Sequence, residues 1–263
     1  MNVISSQNYS PQELANLRRA GKILAGLFAD FRKVCHAGMT GTAADAWFAH
    51  EIERRGAHAS YLDEEVKFPG VICVSPNDVI VHGAPKNEAF RKGDLVGFDL
   101  VIEVAGMKVD SAFTLCVDEE PRGAKKLLLN TTEKSLYAGI DAIAKSVRQN
   151  KGFVKIGDIS RAVEKVLEKE NLGVVRQLVG HGVGRAMHES PDIPNYSDPR
   201  TNDILVPVGN TIAIEPMATL GGWKVVQDDS DGWSIRTADG SLGAHFEHTV
   251  LIGENGAEIL TRI

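Results

Sequence analysis

Cysteine is scarce in this sequence, and long apolar runs are absent. The 263 residues include only Cys35, Cys73 and Cys116, an odd number that argues against a disulfide framework and suits a reducing compartment. No apolar stretch approaches the roughly 20 residues that span a bilayer. The polar segment 1–10 lacks the basic start and apolar stretch of a signal peptide. These absences predict a cytoplasmic protein with no membrane partner.

An excess of basic residues is also missing. The chain has 29 Lys and Arg against 35 Asp and Glu, for a net charge of −6. A nucleic-acid-binding surface needs positive charge, so the sequence predicts no specific nucleic-acid partner. The hydrophobic fraction of 43% is ordinary for a globular protein, and the length fits one domain, 1–263. Because no heptad repeat or long apolar face is evident, we expect a monomer.

Helical periodicity and capping residues predict four main helices. Ser10 and Glu13 match a capping box, and Pro11 fits the first helical position, so the first helix is expected to begin at Ser10. The apolar residues that follow recur at helical spacing. The other predicted helices cover residues 42–56, 123–147 and 158–170.

Apolar and alternating runs predict strands between and after these helices. They lie at 71–74, 79–81, 94–103, 107–117, 174–179, 211–218, 223–227, 233–236, 244–252 and 256–261. The runs 94–103 and 107–117 read as a hairpin that turns near Ala105 and Gly106. Helices and strands mix along the chain, so the predicted fold class is α/β, in the α+β sense.

An internal repeat runs through this order of elements. In each half, helices lead into a strand with an acidic residue six positions after a glycine: Asp99 after Gly93, and Glu215 after Gly209. A second strand in each half adds Asp110 or Glu247. We interpret the repeat as a duplication, with halves at about residues 11–120 and 121–263 that are related by a pseudo-two-fold axis.

Acidic residues inside apolar strands suggest a metal site. Asp99 stands in an apolar strand, where a free charge is costly to bury, although a solvent-facing or arginine-paired carboxylate fits equally well. Asp110 follows across the predicted hairpin, close to Asp99. Two like charges at that distance repel unless a cation lies between them, which makes the metal interpretation the better one.

Histidines and further acids extend this pattern. Glycines flank His181, His188 follows it before a turn-like ESP run, and His82 stands where a strand meets a turn. Glu215 ends an apolar strand, and Pro216 then blocks ladder pairing. Four acids and one histidine (Asp99, Asp110, His181, Glu215 and Glu247) suit two divalent cations. We expect His245 and His248 to be structural or to support the ligands.

The motifs around these residues resemble those of the type I methionine aminopeptidases. The resemblance runs from about residue 11 to 262. It rests on VIVHGAP at 79–85, GDLVGFD at 93–99, VDS at 109–111, GHGVGRAMHESP at 180–191, IEPM at 214–217 and HFEHT at 245–249. It implies the pita-bread fold, a duplicated antiparallel sheet covered by helices. It also implies an enzyme that removes the initiator methionine from nascent chains by attack of a hydroxide bridging two metals.

The resemblance also assigns roles to individual residues. Asp99 is expected to chelate one metal, Asp110 and Glu247 to bridge both, and His181 and Glu215 to bind the second. Glu215 is also the expected general base. His188 is expected to donate to the peptide carbonyl, and His82 to contact the scissile amide or its leaving amine. The metals could be Co²⁺, Mn²⁺, Fe²⁺ or Zn²⁺.

The methionine pocket departs from the family pattern. The run YLDEEVKFP at 61–69 replaces the usual Tyr/His/Gly-rich segment and contains three consecutive acids. Phe68, Cys73 and Trp233 match pocket positions, and Met187 stands where many relatives have an aromatic residue. Met187 and Phe68 are expected to form adaptable walls for an unbranched apolar side chain. We interpret the acids at 63–65 as a solvated loop, with a substrate-reading role as the alternative.

Two other functions fit parts of the pattern. An X-Pro aminopeptidase or dipeptidase shares the five ligands, but such enzymes usually carry a further N-terminal domain, and HGAP and IEPM favour the methionine enzymes. A binding protein on the same scaffold would typically have lost a ligand, and here none is lost. Transient contact with the ribosome is compatible with the expected substrate, and so is a preference for a small residue after methionine.

Overall fold

Four α-helices carry the helical part of the chain. The computed structural model describes residues 2–64 and 66–262. The helices are α1 (Pro11–Val34), α2 (Gly41–Arg54), α3 (Gly123–Gln149) and α4 (Ile156–Lys169), with a short 3-10 helix at Ser60–Leu62. All four helices were predicted, with ends that differ by a few residues.

The capping box at the start of α1 is confirmed. The Ser10 hydroxyl accepts a hydrogen bond from the Glu13 N–H, and the Ser10 N–H donates to the Glu13 carboxylate at 2.8 Å. The second helix begins slightly earlier than expected. Its cap is Thr40, whose hydroxyl accepts from the Ala43 N–H, so the helix starts at Gly41.

The strands are mostly short. They are β1 (His58–Ala59), β2 (Cys73–Pro76), β3 (Val79–Val81), β4 (Leu95–Val104), β5 (Met107–Cys116), β6 (Phe153–Lys155), β7 (Gly173–Val174), β8 (Gly180–Gly182), β9 (Glu189–Ile193), β10 (Leu205–Pro207), β11 (Thr211–Ile214), β12 (Met217–Thr219), β13 (Val225–Gln227), β14 (Ile235–Thr237), β15 (Gly243–His245), β16 (Glu247–Gly253) and β17 (Gly256–Ile259). Among the described residues, only β4 and β5 reach 10 residues each.

The main sheet is antiparallel and has the order β1-β4-β5-β16-β11-β8-β9, with β2 added to β4 and β17 to β16. Its β4–β5 hairpin turns at Ala105 (φ 51°) and Gly106 (φ 80°), as predicted. Positive φ at both central residues is the mark of a type I′ turn, whose twist matches that of the strands. The strands β5 and β16 lie side by side at the centre, so the two halves of the chain meet there.

Two predicted strands are interrupted. The run 211–218 breaks at Glu215 and Pro216, and the run 244–252 breaks at Phe246. In both cases the chain changes sheets: β11 and β16 pair in the main sheet, while β12 and β15 pair in a smaller one. Each strand must leave one ladder to join the other, which puts an irregular residue at the crossing.

The predicted strand 174–179 is wrong for most of its length. Strand pairing ends at Val174, and the next strand begins only at Gly180. The amide of Gln177 instead bonds both backbone groups of Val225, on a third sheet. Residues 175–179 cross between two sheets, and the hydrogen bonds of the Gln177 side chain take the place of backbone ladder bonds.

The helices cover the sheet and bury a single large core. Helix α1 packs against β4 and β5, while α3 packs against β16 and β17. The α1 side is rich in aromatic contacts, such as Phe31 with Phe98 and Phe28 with Phe113. The predicted antiparallel sheet covered by helices is therefore confirmed. None of the helices in the described residues is long and apolar enough to cross a membrane.

Two threonines replace ladder hydrogen bonds where β5 meets β16. The Thr249 hydroxyl accepts from the N–H of Asp110 and donates to its carbonyl, both at 2.8 Å. On the other side of the junction, the Thr114 hydroxyl bonds both backbone groups of His245 at 2.9 Å. The two threonine side chains thus lie between β5 and β16 at equivalent positions on either side of the Ala112–Glu247 pair.

We predict that Thr249→Val lowers the free energy of unfolding by about 1–3 kcal/mol, because two buried backbone groups of Asp110 lose their partner. Urea denaturation of the metal-free protein measures the change. Thr132→Val is the matched control: its hydroxyl donates to Leu128 within α3, where the carbonyl keeps its helical bond. An equal loss in both variants would contradict the assigned role of Thr249.

Candidate metal centre

Five ligand-type side chains converge on the central strands. Asp99 lies in β4, Asp110 in β5, Glu247 begins β16, Glu215 follows β11, and His181 lies in β8. These strands are consecutive neighbours in the sheet. All five residues are buried, with exposures from 2% to 9%. The structure thus brings together every residue that was predicted as a metal ligand.

Strand register explains how the acids meet. Asp99 pairs with Ala112, so Asp110 is its diagonal neighbour on the next strand. Glu247 also pairs with Ala112, from the opposite side. The break after Ile214 places Glu215 at the end of β11, next to the start of β16. One small residue, Ala112, therefore lies between strands that each contribute an acid.

His181 has the orientation of a metal ligand. Its Nδ1 lies 2.8 Å from the carbonyl of Gly182, which makes this nitrogen the protonated one. Its Nε2 then carries a lone pair, 3.8 Å from Asp110 Oδ2 and 3.6 Å from Glu215 Oε1. Burial lowers the pKa of His181 to about 4, so the ring is neutral and these contacts are not ion pairs. The nitrogen lone pair and the carboxylate oxygens repel one another unless a cation lies between them, so this geometry indicates a cation site.

The raised pKa values of the four carboxyl groups also indicate that this site needs a positive charge. Burial raises the pKa of Glu215 to about 8 and that of Asp110 to about 7, where the charge of Glu215 adds to the effect. Burial, and then the charge of Asp110, raise the pKa values of Asp99 and Glu247 well above the usual range.

The donor set fits a divalent metal. The oxygens Asp110 Oδ1 and Glu247 Oε1 are buried without a hydrogen-bond partner among residues 2–64 and 66–262. Ligand atoms of Asp110, His181 and Glu247 all lie within 4.8 Å of one another. Carboxylate oxygens with one imidazole suit hard or borderline divalent ions. A bound cation would satisfy the unpaired atoms and neutralise the repulsion.

His245, which the sequence predicts to be structural or to support the ligands, lies at this centre. Its Nε2 is buried, has no hydrogen-bond partner within the part of the chain that the structure describes, and lies 3.6 Å from Glu215 Oε2. Its position two residues before Glu247 was a usable signal, because alternate residues of a strand share a face. His248 lies elsewhere and bonds Thr261 and Tyr137.

His82 and His188 flank the cluster. The His188 ring lies 4.4 Å from the His181 ring, edge to face. His82 adopts φ 55°, a left-handed conformation that costs energy in a residue other than glycine and is typical of functional sites. The next residue has to be glycine, because a Cβ at Gly83 would lie only 2.1 Å from the carbonyl oxygen of Val74. The pKa of His82 is lowered to about 4, mainly by burial and to a smaller extent by the neighbouring His245 and His188.

The N-terminal segment fastens the loop between β8 and β9, which carries His188. The Gln7 side chain donates to Val183 and to Glu189, and it accepts from the Thr211 N–H. Glu189 in turn accepts from the backbone N–H of Arg185. These bonds fix the loop beside His188.

The residues predicted for the methionine pocket form one apolar cluster. Phe68 and Cys73 are buried, and Met187 and Trp233 are half-buried against them. The Phe68 ring meets the Trp233 ring at 5.3 Å. Cys73 pairs with Asp99 across β2 and β4, so the cluster adjoins the acidic centre.

Tyr61 is a further member of this cluster and was not among the predicted pocket residues. Its ring packs 5.1 Å from Phe68, and its hydroxyl donates to Asp99 Oδ1 at 3.3 Å. The available signal was its place at the head of the segment that departs from the family pattern.

The acids that follow Tyr61 are not simply a solvated loop, and that interpretation is wrong for Asp63. Asp63 contacts Lys108 at 2.9 Å and His58 at 2.8 Å. Glu64 is exposed, and Glu65 lies outside the described residues. Asp63 forms an ion pair with Lys108 because the chain folds it back onto β5.

Comparisons with known proteins establish the family of this chain. Residues 15–254 match the model of metallopeptidase family M24. The chain belongs to this family. Methionine aminopeptidase 1 of Bacillus subtilis is 37% identical over 254 residues, which cover 97% of this chain and 98% of the relative. The family resemblance predicted from the motifs is thereby confirmed.

Solved structures confirm the pita-bread fold. The crystal structure of a methionine aminopeptidase from Thermotoga maritima superposes with a TM-score of 0.89, at 35% identity, covering 98% of this chain and all of that one. Prolidase from Pyrococcus furiosus gives a TM-score of 0.75 at 20% identity. This chain spans 65% of the prolidase, and at that identity the likeness shows the fold alone.

We predict that the metal-free protein becomes less stable as the pH rises from 7 to 8.5. Carboxyl groups whose folded pKa is raised contribute stability at low pH, and this is lost as the pH passes through the folded values, here about 7 for Asp110 and 8 for Glu215. The unfolded histidines, with a pKa near 6.5, contribute little change above pH 7. Chemical denaturation at each pH measures the slope.

Added Mn²⁺ should raise the stability and flatten this slope, because the metal neutralises the carboxylates and binds only the folded state. In Asp110→Ala and Glu247→Ala, the same addition should change the free energy of unfolding little. A metal-free protein whose stability rises over this pH range would contradict the prediction.

Proposed function

We propose that this protein is a methionine aminopeptidase that releases the N-terminal methionine of nascent proteins and peptides. The observation that carries the proposal is the convergence of five buried metal-ligand side chains beside an apolar pocket. Full-length similarity to methionine aminopeptidases supports it, since both chains are covered almost completely.

The ligand set supports two divalent ions. Asp99 would bind one ion, His181 and Glu215 the other, and Asp110 and Glu247 both. When bound, such ions polarise the scissile carbonyl and lower the pKa of water so that it attacks at neutral pH. The identity of the ions is left open among Co²⁺, Mn²⁺, Fe²⁺ and Zn²⁺, because ligand type alone does not choose among them.

Side chains around the centre would move protons and orient the substrate. Glu215 would accept the proton of the attacking water, since a carboxylate within hydrogen-bond reach of that water can act as a general base. His188 would donate a hydrogen bond to the carbonyl oxygen as negative charge develops there. His82 would contact the scissile amide and its leaving amine.

The pocket cluster supports an unbranched apolar side chain. Phe68, Cys73, Met187 and Trp233 offer ring faces and sulfur atoms, which adapt to a flexible thioether. The cluster adjoins Asp99, so a residue held there would have its amino group near the acidic centre. A preference for a small second residue follows from the family resemblance.

We further propose that the chain acts as one catalytic domain, monomeric and cytoplasmic, with transient contact to the ribosome. The two halves, about 11–120 and 121–263, both contribute ligands and share one core, which supports a single domain. The three cysteines are free thiols, as expected in a reducing compartment.

Cleavage of short peptides tests the function. Metal-stripped protein, resupplied with Co²⁺ or Mn²⁺, should release methionine from Met-Ala-Ser but leave Leu-Ala-Ser and Ala-Pro-Ala largely intact. Release from Ala-Pro-Ala instead would favour an X-Pro peptidase of the same fold. Absence of cleavage with every metal would favour a binding protein.

His188→Ala should reduce kcat for Met-Ala-Ser about 10²–10³-fold with little change in KM, because the histidine is assigned to the developing oxyanion. Steady-state kinetics at saturating metal measures both constants. His50→Ala, at an exposed position on α2, is the control and should match the wild-type protein. A rise in KM alone would contradict the role in transition-state stabilisation.

A further inference from the structure

Lys108 is a buried cation that ties two parts of the chain together. It lies in β5, two residues before Asp110, and is 8% exposed. Its Nζ is 2.7 Å from Glu103, 2.9 Å from Asp63 and 3.3 Å from Ser60. All three ammonium hydrogens therefore have an acceptor within reach.

Lys108 has more contacts than are required to stabilise the β4–β5 hairpin. Glu103 is the cross-strand partner of Lys108, so that pair alone would stabilise the hairpin. Ser60 and Asp63 belong to a different segment: Ser60 is the first residue of the short 3-10 helix Ser60–Leu62, and Asp63 is the residue that caps its C-terminal end. Lys108 thus fixes both ends of this turn against β5, and we call these four residues the Lys108 clamp.

The clamped turn presents Tyr61 to the metal centre and to the pocket at once. Tyr61 is 8% exposed. Its ring forms a pocket wall against Phe68, and its hydroxyl donates to Asp99 Oδ1. By contrast Leu62, the next residue, is 56% exposed, so the turn buries only one of the two large side chains.

We propose that Tyr61, held by the Lys108 clamp, sets the size of the substrate pocket and positions the metal ligand Asp99. The inference rests on the proposed aminopeptidase function. A rigid aromatic wall limits how long or wide the bound side chain can be. A hydrogen bond to a ligating carboxylate restricts its orientation, and loss of such an outer contact typically costs 10–100-fold in metal affinity.

Two substitutions at Tyr61 separate these roles. Tyr61→Phe removes only the hydroxyl and should weaken Mn²⁺ binding at least about fivefold by calorimetry, while the ratio of kcat/KM for Met-Ala-Ser over Phe-Ala-Ser stays near the wild-type value. Tyr61→Leu also shortens the wall. It should weaken Mn²⁺ binding similarly and shift that ratio toward Phe-Ala-Ser about tenfold or more.

The clamp has its own test. Lys108→Met keeps the aliphatic stem but removes the charge, so Tyr61 should lose its fixed position. We expect KM for Met-Ala-Ser to rise, with a shift toward Phe-Ala-Ser in the same direction as in Tyr61→Leu. Lys155→Met is the matched control, because Lys155 pairs with the exposed Asp203 far from this turn. Tyr196→Phe, which removes a hydroxyl that donates to the Arg176 carbonyl at a half-buried ring, controls for the loss of a hydroxyl.

The proposal would be overturned if Tyr61→Leu left either the Mn²⁺ affinity or the ratio of kcat/KM for the two peptides within twofold of the wild-type value. Tyr61→Phe retains the ring, so its Mn²⁺ affinity still tests whether Tyr61 positions Asp99 if Tyr61→Leu fails to fold. If the wild-type protein binds Mn²⁺ but cleaves no peptide, the proposed function fails. Calorimetry would then still decide whether Tyr61 positions Asp99.

Discussion

Repulsion among four buried carboxylates is the constraint on which the centre of this structure depends. Asp99, Asp110, Glu215 and Glu247 lie where burial and mutual charge both oppose ionisation. Such a group is tolerable only with protons or cations between its members. The neutral His181, with its lone pair aimed at two of the acids, favours cations. A metal centre explains why so costly a cluster persists in the core.

The fold meets this constraint at the junction of its two halves. Strands β5 and β16 run side by side, and Thr114 and Thr249 replace backbone bonds on either side of their central pair. The strands that follow Glu215 and precede Glu247 leave the main sheet at the same place. Each half therefore supplies acids to a site that neither could build alone.

Much of this arrangement could be predicted from sequence. Local signals such as the Ser10 capping box and the Ala105–Gly106 turn act over a few residues, so they were read correctly. The acids were found because a charged residue in an apolar strand is conspicuous. The strand predicted at 174–179 was wrong because Gln177 bonds Val225, a partner 48 residues away that no local pattern reveals.

The sequence by itself thus determined the helices, the hairpin, the family and the set of ligand-type residues, since each rests on local periodicity or on a motif. Only the tertiary structure decided which further side chains reach the centre. Tyr61 and His245 lie there because strand register and the Lys108 clamp place them, and register is set by contacts between distant segments. The same long-range folding gave Asp63 its ion pair in place of solvent.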